Sequence, residues 1–263
     1  MKKFTLSRIV FGAIVLLILA FSILPVLVII PVSFSDTRFM TFPPPAYSLR
    51  WYSAFINNPA WVAAGKTSLI VSVLTVLIAT PLGVAASYAI DQSNHWSKRY
   101  IRMMLMLPLM VPIIIVAVGV FFVYAYTGLL ASITGLVLAN IMLGLPYVVT
   151  SVTAGLQNFD KAQEMVARSL GMNRFRSFMI VTLPQIKASV ISAAIFAFIQ
   201  ALDETVVALF ISGGQYQTLT KRMFTALRDE IDPTIAAIST LLTAASCVLI
   251  LLMVFSRKAA KSA

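Results

Sequence analysis

The feature that most constrains the fold is a stretch from Met103 to Phe159 that contains no charged residue. A helix needs about 20 apolar residues to cross a membrane, so this stretch is long enough for two crossings. Within lipid, every backbone N–H and C=O group must be bonded inside the protein, which a helix achieves by itself. A membrane barrel would instead show alternating segments of about 10 residues, and these long runs do not alternate. The sequence therefore predicts a helical membrane protein.

Apolar runs on both sides of this stretch predict an all-α membrane protein with six transmembrane helices. The chain is 60% hydrophobic and only 11% charged. We expect one transmembrane domain, residues 1–263, with spans at about 9–32, 67–90, 103–126, 129–151, 188–211 and 233–255. The first run follows basic residues and would also fit a secretory signal, but it is longer than the usual apolar core of about 7–15 residues. A first transmembrane helix is therefore favoured.

The basic residues set the expected orientation in the membrane. With the N-terminus inside, fourteen of the twenty Lys and Arg residues fall in inner segments and six in outer loops. Because basic residues are in excess on the cytoplasmic side of membrane proteins, we expect both termini to be cytoplasmic (N-in/C-in). The outer loops are then residues 33–66 and 212–233.

The longest charged segment runs from Asp160 to Lys187, and we call it the elbow. Good helix formers from Gln163 to Leu170 predict a short helix that ends with Gly171 at the C′ position. A second helix, from Arg174 to about Val181, is expected to stop at Leu183-Pro184, because proline lacks an N–H and crowds the preceding turn. The elbow lies between the fourth and fifth spans, on the predicted cytoplasmic side, where it can meet soluble partners.

The elbow resembles the "EAA loop" of type I ABC-importer permeases. That pattern is roughly Glu-Ala-Ala, three residues, Gly, nine residues, Ile-x-Leu-Pro, and the chain keeps its Gly-to-Leu-Pro spacing. At the front, Met165 and Val166 stand where the pattern has Glu and the first Ala, and an acidic residue lies one place early. In the family this loop is the coupling helix, which fits a cleft of the ATPase subunit. The resemblance implies an ATPase contact made by Glu164, Ala167, Arg168, Gly171, Leu183 and Pro184. An ordinary basic cytoplasmic loop is the alternative.

A second candidate site is the acidic pair Asp203-Glu204, which falls inside the predicted fifth span. Charged groups at such depth are costly, so they are expected to face a cavity, a partner or a substrate. Gln200, one helical turn earlier, would share that cavity. The pair would attract a cation entering from the outer face, or form a hydrogen-bonded gate between helices, or lie at the lipid interface.

The segment from Leu202 to Val207 resembles the fifth span of spermidine/putrescine permeases, where paired acids occur at the matching place. The outer-loop sequence around Phe42-Pro43-Pro44 and Leu49-Arg50-Trp51-Tyr52 resembles the first outer loop of permeases from the same group of importers. The resemblance implies a permease subunit in the bacterial inner membrane that imports a small cationic solute such as putrescine or spermidine. A phosphonate, thiamine, iron or an opine-like compound remains an alternative solute.

The family resemblance also implies partners. They are a pair of ATPase subunits, a second homologous permease subunit, an extracytoplasmic binding protein at the outer loops, and membrane lipid. ATP and Mg²⁺ would bind the ATPase chain, and no cofactor, metal, catalytic residue or nucleic-acid partner is expected for this chain, which is not predicted to be an enzyme. A carrier driven by an ion gradient is the rival function; its sequence sign, inverted repeats with broken helices, is not evident.

Overall fold

A computed structural model describes residues 6–39, 41–229 and 232–261, and almost every long segment in these ranges is helical. The helices, in chain order, are α1 (Leu6–Ser33), α2 (Arg50–Asn57), α3 (Pro59–Gln92), α4 (Lys98–Met110), α5 (Ile113–Thr127), α6 (Ile133–Gln157), α7 (Lys161–Ser169), α8 (Arg174–Ser177), a π-helical turn (Phe178–Thr182), α9 (Leu183–Gln185), α10 (Lys187–Asp203), α11 (Val206–Ile211), α12 (Leu219–Asp229) and α13 (Thr234–Lys261). The described residues contain no β-strand, only two isolated bridges. The all-α class is therefore confirmed.

Four of these helices are long and apolar enough to cross a membrane, and the number rises to six if each of two bent helix pairs is one span. The four are α1, α3, α6 and α13. The bent pairs are α4 with α5, and Arg174–Gln185 with α10. The predicted orientation depends partly on basic residues near the two ends of the chain. Some of these, among them Lys2 and Lys3, lie outside the described residues, and the structure does not describe the side chains of the others.

The chain divides into two compact units. The first comprises residues 1–59 and 226–245. In this unit the segment after α1 folds back beside the end of that helix. The Ser33 and Tyr52 hydroxyls are 2.8 Å apart, the rings of Phe34 and Tyr52 are 5.2 Å apart, and Arg50 forms an exposed ion pair with Asp36. Helix α2 begins at Arg50, whose N–H donates to the Ser48 hydroxyl.

The second unit, residues 60–225 and 246–263, contains the main apolar core. Helix α6 packs along α10, and the two helices lie close together at Gly155, where a Cβ would be 2.6 Å from the Ser189 side chain. Helix α3 packs on α6 in the same way, since a Cβ on Gly83 would lie 2.4 Å from Val148. Small residues thus let the helix backbones come close together, as is common in membrane bundles.

The predicted third span, 103–126, is not one helix. Helices α4 and α5 are bent by 101° where Val111 and Pro112 leave the helical conformation. A residue before proline is disfavoured in the α region, and Val111 is accordingly extended at φ −91° and ψ 136°. The equally apolar Pro108 stays inside α4.

The predicted fifth span, 188–211, is also interrupted. Helix α10 ends at Asp203, Glu204 is extended at φ −64° and ψ 109°, and the short helix α11 follows. The acidic pair therefore lies at a helix break rather than within a continuous helix.

The sequence predicts that the second helix of the elbow stops at Leu183-Pro184, but the helix continues to Gln185. Because Pro184 has no N–H, the hydrogen-bond ladder before it widens into a π-helical turn in which the Leu183 N–H donates to the Phe178 carbonyl. The chain then bends by 79° into α10.

Other boundaries shift by a few residues. Helix α3 starts at Pro59 and takes in the end of the predicted loop 33–66, while α6 covers Ile133–Gln157 instead of 129–151. In the predicted loop 212–233, α12 extends over Leu219–Asp229, and Glu230 lies outside the described residues. The Asp232 carboxylate caps α13 by accepting from the Thr234 N–H at 2.9 Å.

Candidate coupling segment and acidic cavity

The first helix of the elbow, α7, has a defined cap at each end. The Asp160 carboxylate accepts a hydrogen bond from the Ala162 N–H at the start. At the end, the Gly171 N–H donates to the Arg168 carbonyl (3.0 Å) and the Met172 N–H to the Ala167 carbonyl (3.2 Å). This pair of bonds is the Schellman motif, and it requires the left-handed backbone that Gly171 adopts at φ +90°. Gly171 therefore takes the C′ role that the sequence predicts.

One face of α7 is buried against the rest of its own chain. Glu164 is 2% exposed and Ala167 is buried as well. The Glu164 carboxylate accepts hydrogen bonds from the Tyr88 hydroxyl, at the end of α3, and from the Thr182 hydroxyl at 2.7 Å. Glu164 and Ala167 are the two residues of the predicted ATPase contact whose side chains are buried within this chain.

The opposite face of the elbow is open. It presents apolar side chains beside basic ones: Met165, Val166, Leu170 and Phe175 are exposed, as are Arg168 and Arg176. Gly171 and Pro184 are also exposed, while Leu183 is partly buried. No heavy atom lies within 4 Å of a Cβ placed on Gly171, so no part of the described chain approaches it closely.

The second candidate site is a cavity of about 350 Å³ beside the end of α10. It is lined by Ile113, Tyr147, Phe196, Ile199, Gln200, Asp203 and Glu204. The sequence-predicted trio of Gln200 and the two acids is thus brought together in one cavity, with two aromatic rings. None of the residues that line it in the described part of the chain is basic.

The two carboxylates have different surroundings. Glu204 is buried; its Oε1 accepts from the Val207 N–H at 2.8 Å, and the Gln200 amide lies 3.5 Å from its Oε2. Asp203 is exposed to the cavity. No ion pair involves either acid among the described residues, so neither charge is neutralised by a neighbouring cation there.

The helix α12, in the predicted outer loop, contacts the acidic break directly. The Thr220 hydroxyl donates to the Glu204 carbonyl at 3.1 Å, and the Leu219 N–H donates to the Ser68 hydroxyl at 2.8 Å. Lys221 donates to the carbonyls of Leu209 and Ser212, and burial lowers the pKa of its ammonium group. These bonds fix the end of α12 beside the cavity.

Sequence reasoning missed several residues of both sites. Tyr88 and Thr182 gave no signal, because each is an ordinary polar residue in an apolar run. Tyr147 and Phe196 line the cavity but are indistinguishable in sequence from lipid-facing aromatics. No group of three metal-ligating side chains occurs in the described ranges.

The comparison with known families identifies the class of protein. The family described as "Binding-protein-dependent transport system inner membrane component" matches residues 79–261, which is more than half of the chain. The chain therefore belongs to this family, the inner-membrane permease components of ABC importers. The family suspected from the sequence is confirmed.

Two of the proteins similar to this chain are polyamine permeases. The chain is 25% identical to the spermidine/putrescine transport system permease protein PotC of Escherichia coli (strain K12) over 246 residues, which cover 94% of this chain and 93% of that protein. It is 27% identical to the putrescine transport system permease protein PotI of the same strain, with coverage of 88% and 85%. Both relatives belong to the polyamine permease branch suspected from sequence.

Solved structures support the fold. A bacterial ABC transporter involved in the import of the acidic polysaccharide alginate superimposes with a TM-score of 0.68 at 13% identity, covering 98% of this chain and 99% of that one. The same kind of transporter in complex with an alginate pentasaccharide-bound periplasmic protein gives a TM-score of 0.70 over 94% and 92% of the two chains. At this identity the likeness concerns the fold alone.

Proposed function

We propose that this permease subunit moves a small cationic solute of the polyamine class, such as putrescine or spermidine, from a binding protein to the cytoplasm. Transport is driven by ATP hydrolysis on a separate pair of ATPase subunits. The subunit crosses the membrane six times, counting each bent helix pair as one span, with both termini and the elbow inside. A second homologous permease subunit completes the pathway.

The cavity beside α10 is the observation that carries the choice of solute. Two carboxyl side chains that have no cationic partner among the described residues would favour a ligand that brings its own positive charge. The rings of Tyr147 and Phe196 add surfaces that attract an ammonium group, and they also suit the methylene chain of a diamine. A volume of about 350 Å³ lies at the small end of ligand pockets, which run from about 300 to 1,000 Å³. The likeness to PotC and PotI supports the same class of solute.

The open face of the elbow is the surface proposed to bind the ATPase. Its exposed Leu170 and Phe175 supply apolar contact, and Arg168 and Arg176 supply charge at the rim. Aromatic and arginine side chains are the types that dominate protein interfaces. The binding protein is proposed to contact the outer loops 33–66 and 212–233.

The test is uptake of labelled putrescine by proteoliposomes that contain the whole complex and its binding protein. Asp203→Asn removes a charge that faces the cavity without removing a backbone contact, and we expect it to lower uptake at subsaturating solute. Arg99→Gln is the control, since it changes the net charge at an exposed residue outside both sites. Co-purification of the ATPase checks that each variant assembles.

The outcomes separate the alternatives. Normal putrescine uptake by Asp203→Asn would remove the acid from the solute pathway. Uptake of a phosphonate, thiamine or an iron complex, but not of putrescine, by the unaltered complex would keep the importer and change its solute. Uptake that needs an ion gradient and no ATP would favour the rival carrier.

A further inference from the structure

Three contacts join the elbow to the last turns of α3. The first is the buried Glu164 carboxylate, which accepts from the Tyr88 hydroxyl. The second is an ion pair in which the Lys161 ammonium lies 2.8 Å from the Asp91 carboxylate. The third is formed by two side chains of the elbow, Arg174 and Phe178, that pack against the Tyr88 ring. All of these residues lie within one compact unit.

The Tyr88 ring is the centre of this arrangement. The Arg174 guanidinium carbon lies 5.3 Å from its centroid, and the Phe178 ring lies 4.5 Å from it. Arg174 and Phe178 belong to the second helix of the elbow and Glu164 to the first, so both helices of the elbow touch one side chain of α3. A displacement of the elbow as a body would therefore press directly on α3.

The middle of α3 lies close to Gln200, one of the residues that line the acidic cavity. Thr75 lies on α3 about 20 Å from Tyr88, at roughly 1.5 Å per residue. Its Cγ2 atom is 3.8 Å from the position that a Cβ on Gly144 would take, and the Gln200 Oε1 atom is 3.6 Å from the same position. Because Gln200 lines the cavity, α3 contacts the elbow near its last turn and has its middle close to a cavity residue.

The covalent connection between the elbow and the cavity is less direct. It passes from α9 into α10 through a 79° bend, and a π-helical turn lies just before α9. The π-helical turn is a local irregularity of the kind often found at functional sites, and the bend turns the chain away from the axis of the elbow helix. The side-on contact with α3 involves no such bend.

We propose that Tyr88 is a positioning residue that carries the displacement of the elbow to α3, and through α3 to the cavity wall at Gln200. This inference rests on the proposed ATPase-driven function. It assigns α3, rather than the covalently attached α10 alone, to the transmission of that motion. The physical basis is the Tyr88–Glu164 hydrogen bond, which joins two separate helices, together with the packing around the same ring.

Two variants that each remove one hydroxyl from the same carboxylate provide the test. Tyr88→Phe removes the hydrogen bond from α3 to Glu164 but keeps the ring that contacts Arg174 and Phe178. Thr182→Val removes the other bond to Glu164, which lies wholly within the elbow. Tyr126→Phe is the control, because it removes the same hydroxyl from a side chain that is 94% exposed.

The quantity measured is the amount of solute taken up per ATP hydrolysed by the reconstituted complex with its binding protein. We expect Tyr88→Phe to lower this ratio about twofold to tenfold, the factor that one net hydrogen bond is worth. Thr182→Val and Tyr126→Phe should keep a ratio near that of the unaltered complex.

The outcomes distinguish this inference from the proposed function. If the unaltered complex neither hydrolyses ATP nor transports, the proposed function fails. If it transports and Tyr88→Phe keeps the full ratio, the role of Tyr88 fails while the function stands. Equal losses in Tyr88→Phe and Thr182→Val would also overturn it, since the effect would then reflect the stability of the elbow. Loss of ATPase co-purification by Tyr88→Phe would overturn it as well, by giving the bond a structural role.

Discussion

Replacement of Gly171 tests whether the elbow depends on one backbone conformation or on space for a partner. The residue has φ +90°, and its N–H and that of Met172 close the Schellman motif at the end of α7. A Cβ there would meet no atom of the described chain within 4 Å. Within this chain, the cost of a side chain is therefore one of backbone strain alone.

The size of that cost follows from the conformation. A left-handed backbone costs about 1–2 kcal/mol for a residue with a Cβ, so Gly171→Ala should destabilise the end of α7 by that amount. Asn adopts this region several-fold more readily than most residues, so Gly171→Asn should cost clearly less. A loss of 1–2 kcal/mol lowers the ratio of closed to open helix end by about fivefold to thirtyfold.

Hydrogen exchange of the purified complex measures this directly. Protection of the Gly171 and Met172 amides should fall in the Ala variant and be largely kept in the Asn variant. Uptake should follow the same order if the turn alone matters. Equal protection in the Gly and Ala proteins would refute the backbone argument. Normal protection with lost uptake in the Asn variant would show that a partner needs the space above Gly171.

Three further predictions follow from the packing. Glu204→Gln keeps an oxygen that can accept the Val207 N–H, so the melting temperature of the complex should be nearly unchanged. Glu204→Ala removes this acceptor and should lower the stability by about 1–2 kcal/mol, so equal melting temperatures of the two variants would contradict this. Gly83→Ala places a Cβ 2.4 Å from Val148 and should destabilise by about 1–3 kcal/mol, while Gly119→Ala, with open space, should not; thermal unfolding decides between them. Phe175→Glu puts a charge on the open face of the elbow and should reduce ATPase co-purification without lowering the amount of permease in the membrane; unchanged co-purification would remove this residue from the interface.

The turn at Gly171 could be predicted from sequence because its cause is local. A run of helix formers followed by glycine determines the C′ position, whatever the rest of the fold. The break at Glu204 could not, because no glycine or proline marks it. There a buried side chain accepts the Val207 N–H and the Thr220 hydroxyl bonds the carbonyl, and both contacts depend on the fold around them.

The burial of Glu164 could not be predicted from the family motif. Successive helical residues differ by about 100° around the axis, since a turn holds 3.6 residues. Glu164 lies one place before the family's acidic position, which Met165 occupies here, so it points to a different side of α7. Met165 is exposed and Glu164 is buried against Tyr88 and Thr182. The family pattern located the helix but not which face of it carries the acid.

The sequence also does not show which of the two prolines in the predicted third span breaks the helix. Pro108 remains inside α4, whereas the chain bends by 101° at Pro112. Both follow apolar residues and look alike in sequence. The difference arises from tertiary packing, since α5 packs against α11 and α4 against α6.

The most direct test of the whole account is ATP hydrolysis by the reconstituted complex, with its binding protein, against a panel of solutes. The panel contains putrescine, spermidine, thiamine, an aminophosphonate and ferric iron. The account predicts stimulation by putrescine or spermidine and by no other member, with the response weakened by Asp203→Asn. Stimulation by another solute alone, or the absence of any ATPase in the purified complex, would contradict it.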